Sequence, residues 1–278
     1  MGSLKILALA GAMAIGAIGV AQAADMPLPP PPPMAPEPLP EFSGWYLRGD
    51  VGAGITQMGE LHSTFDAGFD VPGLLVARKS VEDQFFVGAG FGYQFNNWFR
   101  ADLTGEYRGG GRYAAIESYT TSSCGGAVCF DNYNGNIRSS VFLANGYVDL
   151  GTWVGVTPFV GAGVGFANHK LSGLTDVDHQ LGGYGFAGDH SKTNFAWALM
   201  AGLGYNVSPN LKLELGYRYL NMGDVESGAI RCQNTPFCGN EVHKFSLASH
   251  DLRLGMRWML GGPTYIPEAP QMPLIRKY

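Results

Sequence analysis

The sequence predicts an all-β fold, because a strict two-residue alternation recurs along most of the chain. In residues 211–219, LKLELGYRY, leucine and tyrosine occupy one parity, while lysine, glutamate and arginine occupy the other. Residues 251–258, DLRLGMRW, repeat the pattern. Successive side chains of a strand point to opposite faces, so each segment has one apolar and one charged face. Aromatic residues on the apolar face and charges in mid-strand suit a barrel in lipid with a polar lumen.

Residues 1–23 are predicted to be a cleaved secretory signal peptide. Lys5 supplies a positive charge, residues 6–20 are apolar, and Ala21-Gln22-Ala23 has the form of a cleavage site. The apolar stretch is short for a membrane-spanning helix, and no later segment has the ~20 consecutive apolar residues that such a helix needs. A membrane location therefore requires strands.

Proline-containing segments are predicted on both sides of the barrel. Residues 24–42, ADMPLPPPPPMAPEPLPEF, favour an extended polyproline II arm in the periplasm. At ~3.1 Å per residue the arm could reach on the order of 50 Å. A passive disordered leader is the alternative that composition leaves open. Residues 261–278 are interpreted as a periplasmic tail.

Eight alternating segments are predicted to be strands of a barrel that occupies residues 43–260. They are 43–56, 83–95, 98–109, 138–150, 158–170, 192–207, 211–222 and 247–260. The short connections are 96–97, 151–157 and 208–210, and the long ones lie around Thr64, Cys124, Tyr184 and Cys232. Bacterial outer-membrane barrels have short periplasmic turns and long outer loops. The prediction is therefore an eight-stranded antiparallel transmembrane β-barrel of the outer-membrane type, with both chain ends in the periplasm.

The two parities assign a lipid face and a lumen face. The lipid face is predicted to include Trp45, Leu47, Val51, Ile55, Phe85, Val87, Phe91, Tyr93, Phe95, Phe99, Leu103, Tyr107, Phe195, Trp197, Leu199, Leu203 and Tyr205. The lumen face collects a charge network of Arg48, Asp50, Arg100, Asp102, Glu106, Arg108, Lys212, Glu214, Arg218, Asp251, Arg253 and Arg257. Side chains can fill an eight-stranded barrel, and buried charges must be paired or hydrated. We therefore expect an ion-paired lumen without an open channel.

The alternation is weaker in the fourth and fifth predicted strands, and the assignment of faces there is ambiguous. Val141 and Leu143 share a parity with Asn145, Tyr147 and Asp149, so neither face is consistently apolar.

The motif VGAG occurs three times, at residues 51–54, 87–90 and 160–163. A glycine-rich nucleotide loop requires a helix to follow it, and no helical pattern follows any copy. Glycines on the lumen parity instead make room for large charged side chains of neighbouring strands. The charged residues form no basic stripe either, which argues against a nucleic-acid partner.

The cysteines form two close pairs, Cys124 with Cys129 and Cys232 with Cys238. Both pairs lie in predicted outer loops of an exported chain, which favours disulfides over metal ligation. Pairing within each loop is preferred, and bridges between the loops stay open as the alternative.

Five histidines, His62, His169, His179, His190 and His243, are also placed in predicted outer loops. Imidazole can bind haem iron or a divalent metal. No two of them have helix-type ligand spacing, so we predict no cofactor and keep haemin as an alternative.

Ser249-His250-Asp251 contains the residue types of a hydrolytic triad in the wrong geometry. On a strand, Ser249 and Asp251 face one side and His250 faces the other, whereas a triad needs convergence. No enzymatic activity is predicted.

Four segments resemble the small alphaproteobacterial outer-membrane and immunogenic proteins, within the wider opacity-type surface-antigen superfamily. They are AADMP at 23–27, FSGWYLRGDVGAG at 42–54, TPFVGAGVGF at 157–166 and LKLELGYRYLNMGD at 211–224. The resemblance implies an eight-stranded, surface-exposed barrel with a mainly structural envelope role. It also implies that some relatives bind haemin or host surfaces. Family barrels usually end on an aromatic-terminated strand, whereas here a tail follows Leu260.

The resemblance also implies a link to the cell wall, because in related barrels a mature N-terminus that begins Ala-Asp is joined to peptidoglycan by periplasmic transpeptidases. Ala24-Asp25 occupies the matching place. We therefore expect a structural barrel and surface antigen that supports envelope integrity and is attached through Ala24 and Asp25. Its expected partners are outer-membrane lipid, lipopolysaccharide, peptidoglycan and a transpeptidase. A surface binding protein for haemin or host molecules is the alternative, and a small-solute porin is the third.

Overall fold

A computed structural model describes residues 43–64, 75–120, 122–233 and 241–261. The predicted signal peptide, the proline-rich arm and residues 262–278 of the tail lie outside the described residues. No helix within the described ranges is long and apolar enough to cross a membrane.

The described chain forms eleven strands in one sheet. They are β1 Gly44–Ser63, β2 Leu75–Val81, β3 Gln84–Gln94, β4 Phe99–Thr120, β5 Val128–Asp149, β6 Val156–Asp178, β7 Gly183–Ala187, β8 His190–Asn206, β9 Leu211–Glu226, β10 Ile230–Cys232 and β11 His243–Met259. A single 3-10 turn, Ser122–Cys124, lies between β4 and β5.

Eight of these strands close into a ring in the order β1, β3, β4, β5, β6, β8, β9, β11 and back to β1. Every pairing in the ring is antiparallel, and the closing pair runs from Tyr46 opposite Met259 to Ser63 opposite His243. The predicted eight-stranded barrel is confirmed. Both ends of the barrel segment lie beside the short connections, 95–98, 150–155 and 207–210, which we call the turn end.

The strands continue well beyond the length that a membrane requires. A transmembrane strand needs about 9–11 residues, whereas β4 and β5 have 22 each and β6 has 23. Outward side chains of β6 change from Val160, Val164 and Phe166, all exposed, to Asn168 and Lys170. The apolar band on the outer face therefore ends midway along β6. The remaining part of the strand projects beyond the lipid. We call residues 57–64, 75–81, 110–120, 122–140, 167–193, 221–233 and 241–250 the outer extension.

The predicted outer loops are longer than those in the structure, because strands occupy much of the predicted loop regions. The sequence predicts that β4 ends at Gly109, where three glycines occur in a row. Instead the β4–β5 register shifts between Arg108 and Gly111, and Gly110 adopts a φ of 85°. This is a β-bulge, which bends a strand without ending it. The alternation does not predict the short strands β2, β7 and β10. β2 pairs with the extended β4, β7 pairs with the extended β6, and β10 pairs with β7.

The burial pattern resolves the facing of β5. Val141, Leu143, Asn145, Tyr147 and Asp149 are all at least 95% buried, so this parity lines the lumen. The predicted lipid parity is correspondingly exposed at nearly every position.

Aromatic side chains form a girdle on the lipid face at the turn end. The rings of Trp45 and Tyr93 lie 5.2 Å apart, those of Tyr93 and Phe95 5.1 Å apart, and those of Phe95 and Phe99 5.3 Å apart. Such belts mark the membrane interface in outer-membrane barrels.

Candidate functional site

The lumen near the turn end holds a buried ion-pair network around Arg48. Its Nε lies 2.8 Å from Asp50 Oδ2, its Nη1 2.6 Å from Asp102 Oδ2, and its Nη2 3.4 Å from Glu214 Oε2. Arg253 Nε lies 3.6 Å from the other oxygen of Asp50. Four strands, β1, β4, β9 and β11, are thereby connected through the lumen.

Arg100 extends this turn-side network to β5. Its Nε lies 3.2 Å from Asp149 Oδ1 and its Nη2 3.1 Å from Glu214 Oε1. Its guanidinium also sits 4.1 Å above the ring of Tyr147, within the range of a cation–π contact. Arg257 Nε lies 3.2 Å from the same Glu214 oxygen. One carboxylate therefore serves three guanidinium groups.

A second network lies at mid-barrel and consists of two arginines and two carboxylates. Arg108 lies 3.0 Å from Glu106 and 2.6 Å from Asp251, while Arg218 lies 2.8 Å from Glu106 and 2.7 Å from Asp251. Both guanidinium groups lie within 5.0 Å of the Phe86 ring centroid. All four charged groups are compensated. Removing one member leaves an unpaired buried charge, which is strongly destabilising.

The structure brings the predicted lumen residues together and adds others. Lys212 is half-buried and lies opposite Arg257 in the β9–β11 register. Asp149 is absent from the predicted network because the facing of its strand is ambiguous in the sequence. Gln94, which accepts a hydrogen bond of 2.6 Å from Arg257, is missing from the prediction as well. Its position on the lumen parity of β3 is the signal that could have found it.

The interpretation of the VGAG glycines as space for lumen side chains is confirmed. A Cβ added at Gly54 would overlap Asp251, Ser249 and Arg108 of the mid-barrel network. A Cβ at Gly163 would overlap the Asn145 side chain. The small residues are therefore part of the packing of the networks.

Above these networks, the lumen of the outer extension carries a different set of charges, which we call the acidic layer. It consists of Glu117, Asp131, Asp176, Asp178, Glu241 and His243. Asp131 lies opposite Asp178 in the β5–β6 register. Two residues further along each strand, Tyr133 lies opposite Asp176. Among the described residues, no lysine or arginine forms an ion pair with Asp131, Asp176, Asp178 or Glu241. This layer therefore contains more carboxylates than basic side chains.

The pKa values of two of these carboxyls reflect that surplus. Burial, and then repulsion from Asp178 and Glu241, raises the pKa of Asp131 to about 7. Burial, followed by repulsion from Asp131, Glu241 and Asp178, raises the pKa of Asp176 to about 8. Asp178 instead accepts hydrogen bonds from the Tyr119 hydroxyl, at 2.8 Å, and from two backbone amides.

His243 and Glu241 form the centre of the acidic layer, where β11 begins. His243 Nε2 lies 2.9 Å from Glu241 Oε1 and 3.7 Å from Glu117 Oε1. Its Nδ1 lies 2.8 Å from the Tyr113 hydroxyl. The Tyr133 hydroxyl donates to Glu241 Oε2 at 3.1 Å. Sequence reasoning misses both glutamates, because it places this region in loops.

The predicted loop positions of most histidines are wrong. His62, His169, His190 and His243 belong to strands, and His179 lies in a turn. The strands run past the expected ends, so the lumen parity continues into the outer extension. His169 is buried there, with its ring nitrogens 2.7 Å from Ser139 Oγ and 2.9 Å from the Met222 carbonyl.

Ser249 and His250 point to opposite faces, as the strand geometry predicts. Ser249 Oγ donates to Asp251 Oδ1 in the lumen, whereas His250 Nδ1 lies 2.6 Å from the Tyr217 hydroxyl on the outside. The three residues do not converge.

One predicted disulfide joins Cys124 to Cys129 at the tip of the β4–β5 hairpin. Cys232 is disulfide-bonded as well, and Cys238 lies outside the described residues. Ala24 and Asp25 also lie outside them.

These observations define a transmembrane β-barrel with a charged, side-chain-filled lumen and a projecting outer extension. Residues 10–233 match the model of the outer membrane protein beta-barrel domain, so the chain belongs to that family. It is thus a protein of the bacterial outer membrane, in a family of barrels that are not enzymes.

Three relatives illustrate the family. An uncharacterized protein of Brucella abortus (strain 2308) is 35% identical, over 75% of this chain and 78% of its own. Outer membrane protein PagN of Salmonella typhimurium is 28% identical, over 77% and 89%. A protein of Rickettsia bellii (strain RML369-C), described as a candidate adhesin, is 30% identical, over 77% and 87%.

Proposed function

We propose that the protein is a structural, non-conducting barrel that supports the integrity of the outer membrane. The observation that carries this proposal is the pair of ion-pair networks across the lumen. Arg100, Arg108 and Arg218 are at least 98% buried, and each is held by carboxylates from other strands. Side chains can fill an eight-stranded barrel. We therefore expect a lumen occupied in this way to give solutes no continuous aqueous path.

Conductance in planar bilayers tests the closed lumen. The folded wild-type protein should give no steady single-channel currents. The double variant Arg108→Ser with Asp251→Ser removes one charge of each sign from the mid-barrel network, so it should conduct more than the wild type. Large, steady currents from the wild type would contradict the proposal and favour the small-solute porin.

We also propose that the protein is attached covalently to peptidoglycan through Ala24, and that this attachment supports envelope integrity. Signal cleavage after Ala23 would leave Ala24-Asp25 at the front of the proline-rich arm. A free α-amine has an ordinary pKa near ~8, so some of it is neutral and can act as an acyl acceptor. Its proline-rich sequence favours an extended spacer, which would carry that amine away from the barrel. A separate periplasmic transpeptidase would form the bond.

The attachment is tested by digesting purified sacculi with muramidase and trypsin, followed by mass spectrometry. A peptide that begins at Ala24 and is linked to a peptidoglycan stem is expected. A matched variant with Ala24 and Asp25 replaced by Gly and Ser should lose the linked peptide while keeping the barrel in the membrane. Boiled sacculi without this protein, alongside abundant free protein that starts at Ala24, would overturn the attachment.

A surface-binding role is the second candidate, and the outer extension favours it. Strands such as β6 carry polar outward side chains well beyond the apolar band, and this polar sheet surface supports a role in docking host molecules. The Rickettsia bellii relative, described as a candidate adhesin, supports the same role. Binding of haemin, followed by its Soret absorbance, and adhesion of expressing cells to host cells test this candidate. Neither assay depends on Ala24, so the two roles are separable.

A further inference from the structure

Three metal-ligating side chains converge in the acidic layer, outside the ion-pair networks. Glu117 comes from β4, Glu241 precedes β11, and His243 is the first residue of β11. One ligand atom from each lies within 4.8 Å of the other two, and all three residues are at least 96% buried. Residues far apart in the sequence therefore supply two oxygens and one nitrogen to one small volume.

The ligand atoms of these three side chains lie close together in a buried environment. Two carboxylates and the lone pair of a neutral imidazole repel one another unless a proton or a metal ion lies among them. His243 Nε2 lies 2.9 Å from Glu241 Oε1, and Glu117 Oε1 lies 3.7 Å from the same nitrogen. A metal ion in the middle would be contacted by all three.

The surroundings hold the ligands in place. The Tyr113 hydroxyl lies 2.8 Å from His243 Nδ1, which fixes the imidazole ring and directs Nε2 toward the glutamates. Ser63 and Tyr133 donate hydrogen bonds to the two oxygens of Glu241. Partners of this kind orient the ligands of metal sites and tune their affinity.

A second observation comes from Asp176, which lies opposite Tyr133 on the same lumen wall. It is 92% buried, and its Oδ1 has no hydrogen-bond partner among the described residues. Ion pairs from lysine or arginine to Asp131, Asp176 and Asp178 are also absent from the described part of the chain. A cation bound nearby would offset this negative charge.

We propose that Glu117, Glu241 and His243 form a binding site for a divalent first-row transition metal ion. Two carboxylate oxygens with one imidazole nitrogen suit Zn²⁺, which binds His and Asp/Glu at about 2.0–2.2 Å. A harder ion such as Ca²⁺ prefers an all-oxygen set and six to eight ligands. The site faces the lumen of the outer extension, so it would take metal from outside the cell and would connect β4 to β11.

Zinc titration of the mature chain, folded in detergent micelles and freed of metal with EDTA, tests the site. A chromophoric chelator competing for added ZnCl2 should reveal one tight site per chain. Glu117→Gln and His243→Gln should each weaken Zn²⁺ binding at least tenfold. His169→Gln is the matched control, because His169 is equally buried but bonds to Ser139 and Met222. Glu60→Gln controls for the exposed Glu60 and His62 pair.

Two outcomes would overturn the site. One is the absence of tight Zn²⁺ binding by wild-type protein that shows the folded, heat-modifiable mobility. The other is tight binding that both variants retain. If a variant fails to fold, 15N-histidine spectra of the wild type decide instead. Zn²⁺ should shift the Nε2 signal of His243 and leave that of His169 unchanged, and an unshifted His243 signal would show that a proton alone holds the cluster together.

Discussion

Buried charges in the lumen are compensated in different ways at two levels of the barrel. The lower level contains the two ion-pair networks, and the upper level is the acidic layer of the outer extension. At membrane depth, arginines and carboxylates alternate, so that each Asp251 or Glu214 carboxylate contacts two or more guanidinium groups. In the outer extension the carboxylates Asp131, Asp176 and Asp178 cluster on the β5–β6 wall, while Arg112 and Arg138 are exposed on the outside.

The difference follows the surroundings of each level. Lipid encloses the ion-pair networks, where an unpaired charge has neither water nor a counter-ion, so the partners must be built into the chain. The acidic layer lies beyond the apolar band, where protons or cations from the medium can compensate the carboxylates. The upper level is thereby open to regulation by solution conditions, and the lower level is not.

Breaking the lower level should have the largest effect on stability. Asp251→Ala leaves Arg108 and Arg218 buried without their shared carboxylate, and we expect a loss of about 3–5 kcal/mol in the free energy of unfolding. Urea unfolding in micelles, followed by gel mobility, measures it. The control is Asp224→Ala, which removes a half-exposed partner of Lys244 and should cost less than ~1 kcal/mol. Equal losses in the two variants would contradict the contrast.

Filling the space around the mid-barrel network should have a smaller effect. Gly54→Val adds atoms where Asp251, Ser249 and Arg108 meet, and overpacking of this kind costs about 1–3 kcal/mol. The same unfolding assay applies. Gly49→Val on the same strand is the control, because a Cβ at Gly49 meets nothing within 4 Å. If Gly54→Val were as stable as Gly49→Val, the glycines would not be part of the network packing.

The lower level can be predicted from the sequence, whereas the upper level cannot. Alternation in residues 211–222 and 247–260 determines the lumen parity, and that parity alone places Glu214, Arg218 and Asp251 inside the barrel. Their ion-pair partners do not follow from it, because pairing depends on the stagger between strands. Residues 110–137 carry weaker alternation behind three glycines, so the sequence predicts a loop at Glu117. A bulge and a strand end have the same local signal, and only the partner strand distinguishes them.

The acidic layer should lower the stability of the folded outer extension as the pH rises. The pKa of Asp131 is raised to about 7 and that of Asp176 to about 8, above their unfolded value near ~4. The folded state therefore holds protons that the unfolded state has released, so stability falls as the pH rises from about 4 to about 8. In EDTA, limited proteolysis of the extension should be faster at pH 8.5 than at pH 5.5.

Asp176→Asn isolates the cause of that pH dependence. The variant removes one titrating carboxyl from the cluster and lowers the repulsion on Asp131, so the proteolysis rate should vary less with pH. Asp251→Asn, in the lower level, should leave the slope between pH 5.5 and 8.5 unchanged. A wild-type extension that is more resistant at pH 8.5 than at pH 5.5 would have the wrong sign and would refute this account of the acidic layer.

The smallest effect is expected at the tip of the β4–β5 hairpin, farthest from both networks. The disulfide closes a separation of only 5 residues between Cys124 and Cys129, and a cross-link of such a short loop stabilises by at most ~2 kcal/mol. Since the tip can open without disturbing Arg108 or Asp251, the double variant Cys124→Ser with Cys129→Ser should keep the wild-type unfolding midpoint. Protease cleavage near the tip should become faster in the same variant. A shift of the whole barrel's midpoint would show instead that the tip and the lumen networks unfold as one cooperative unit.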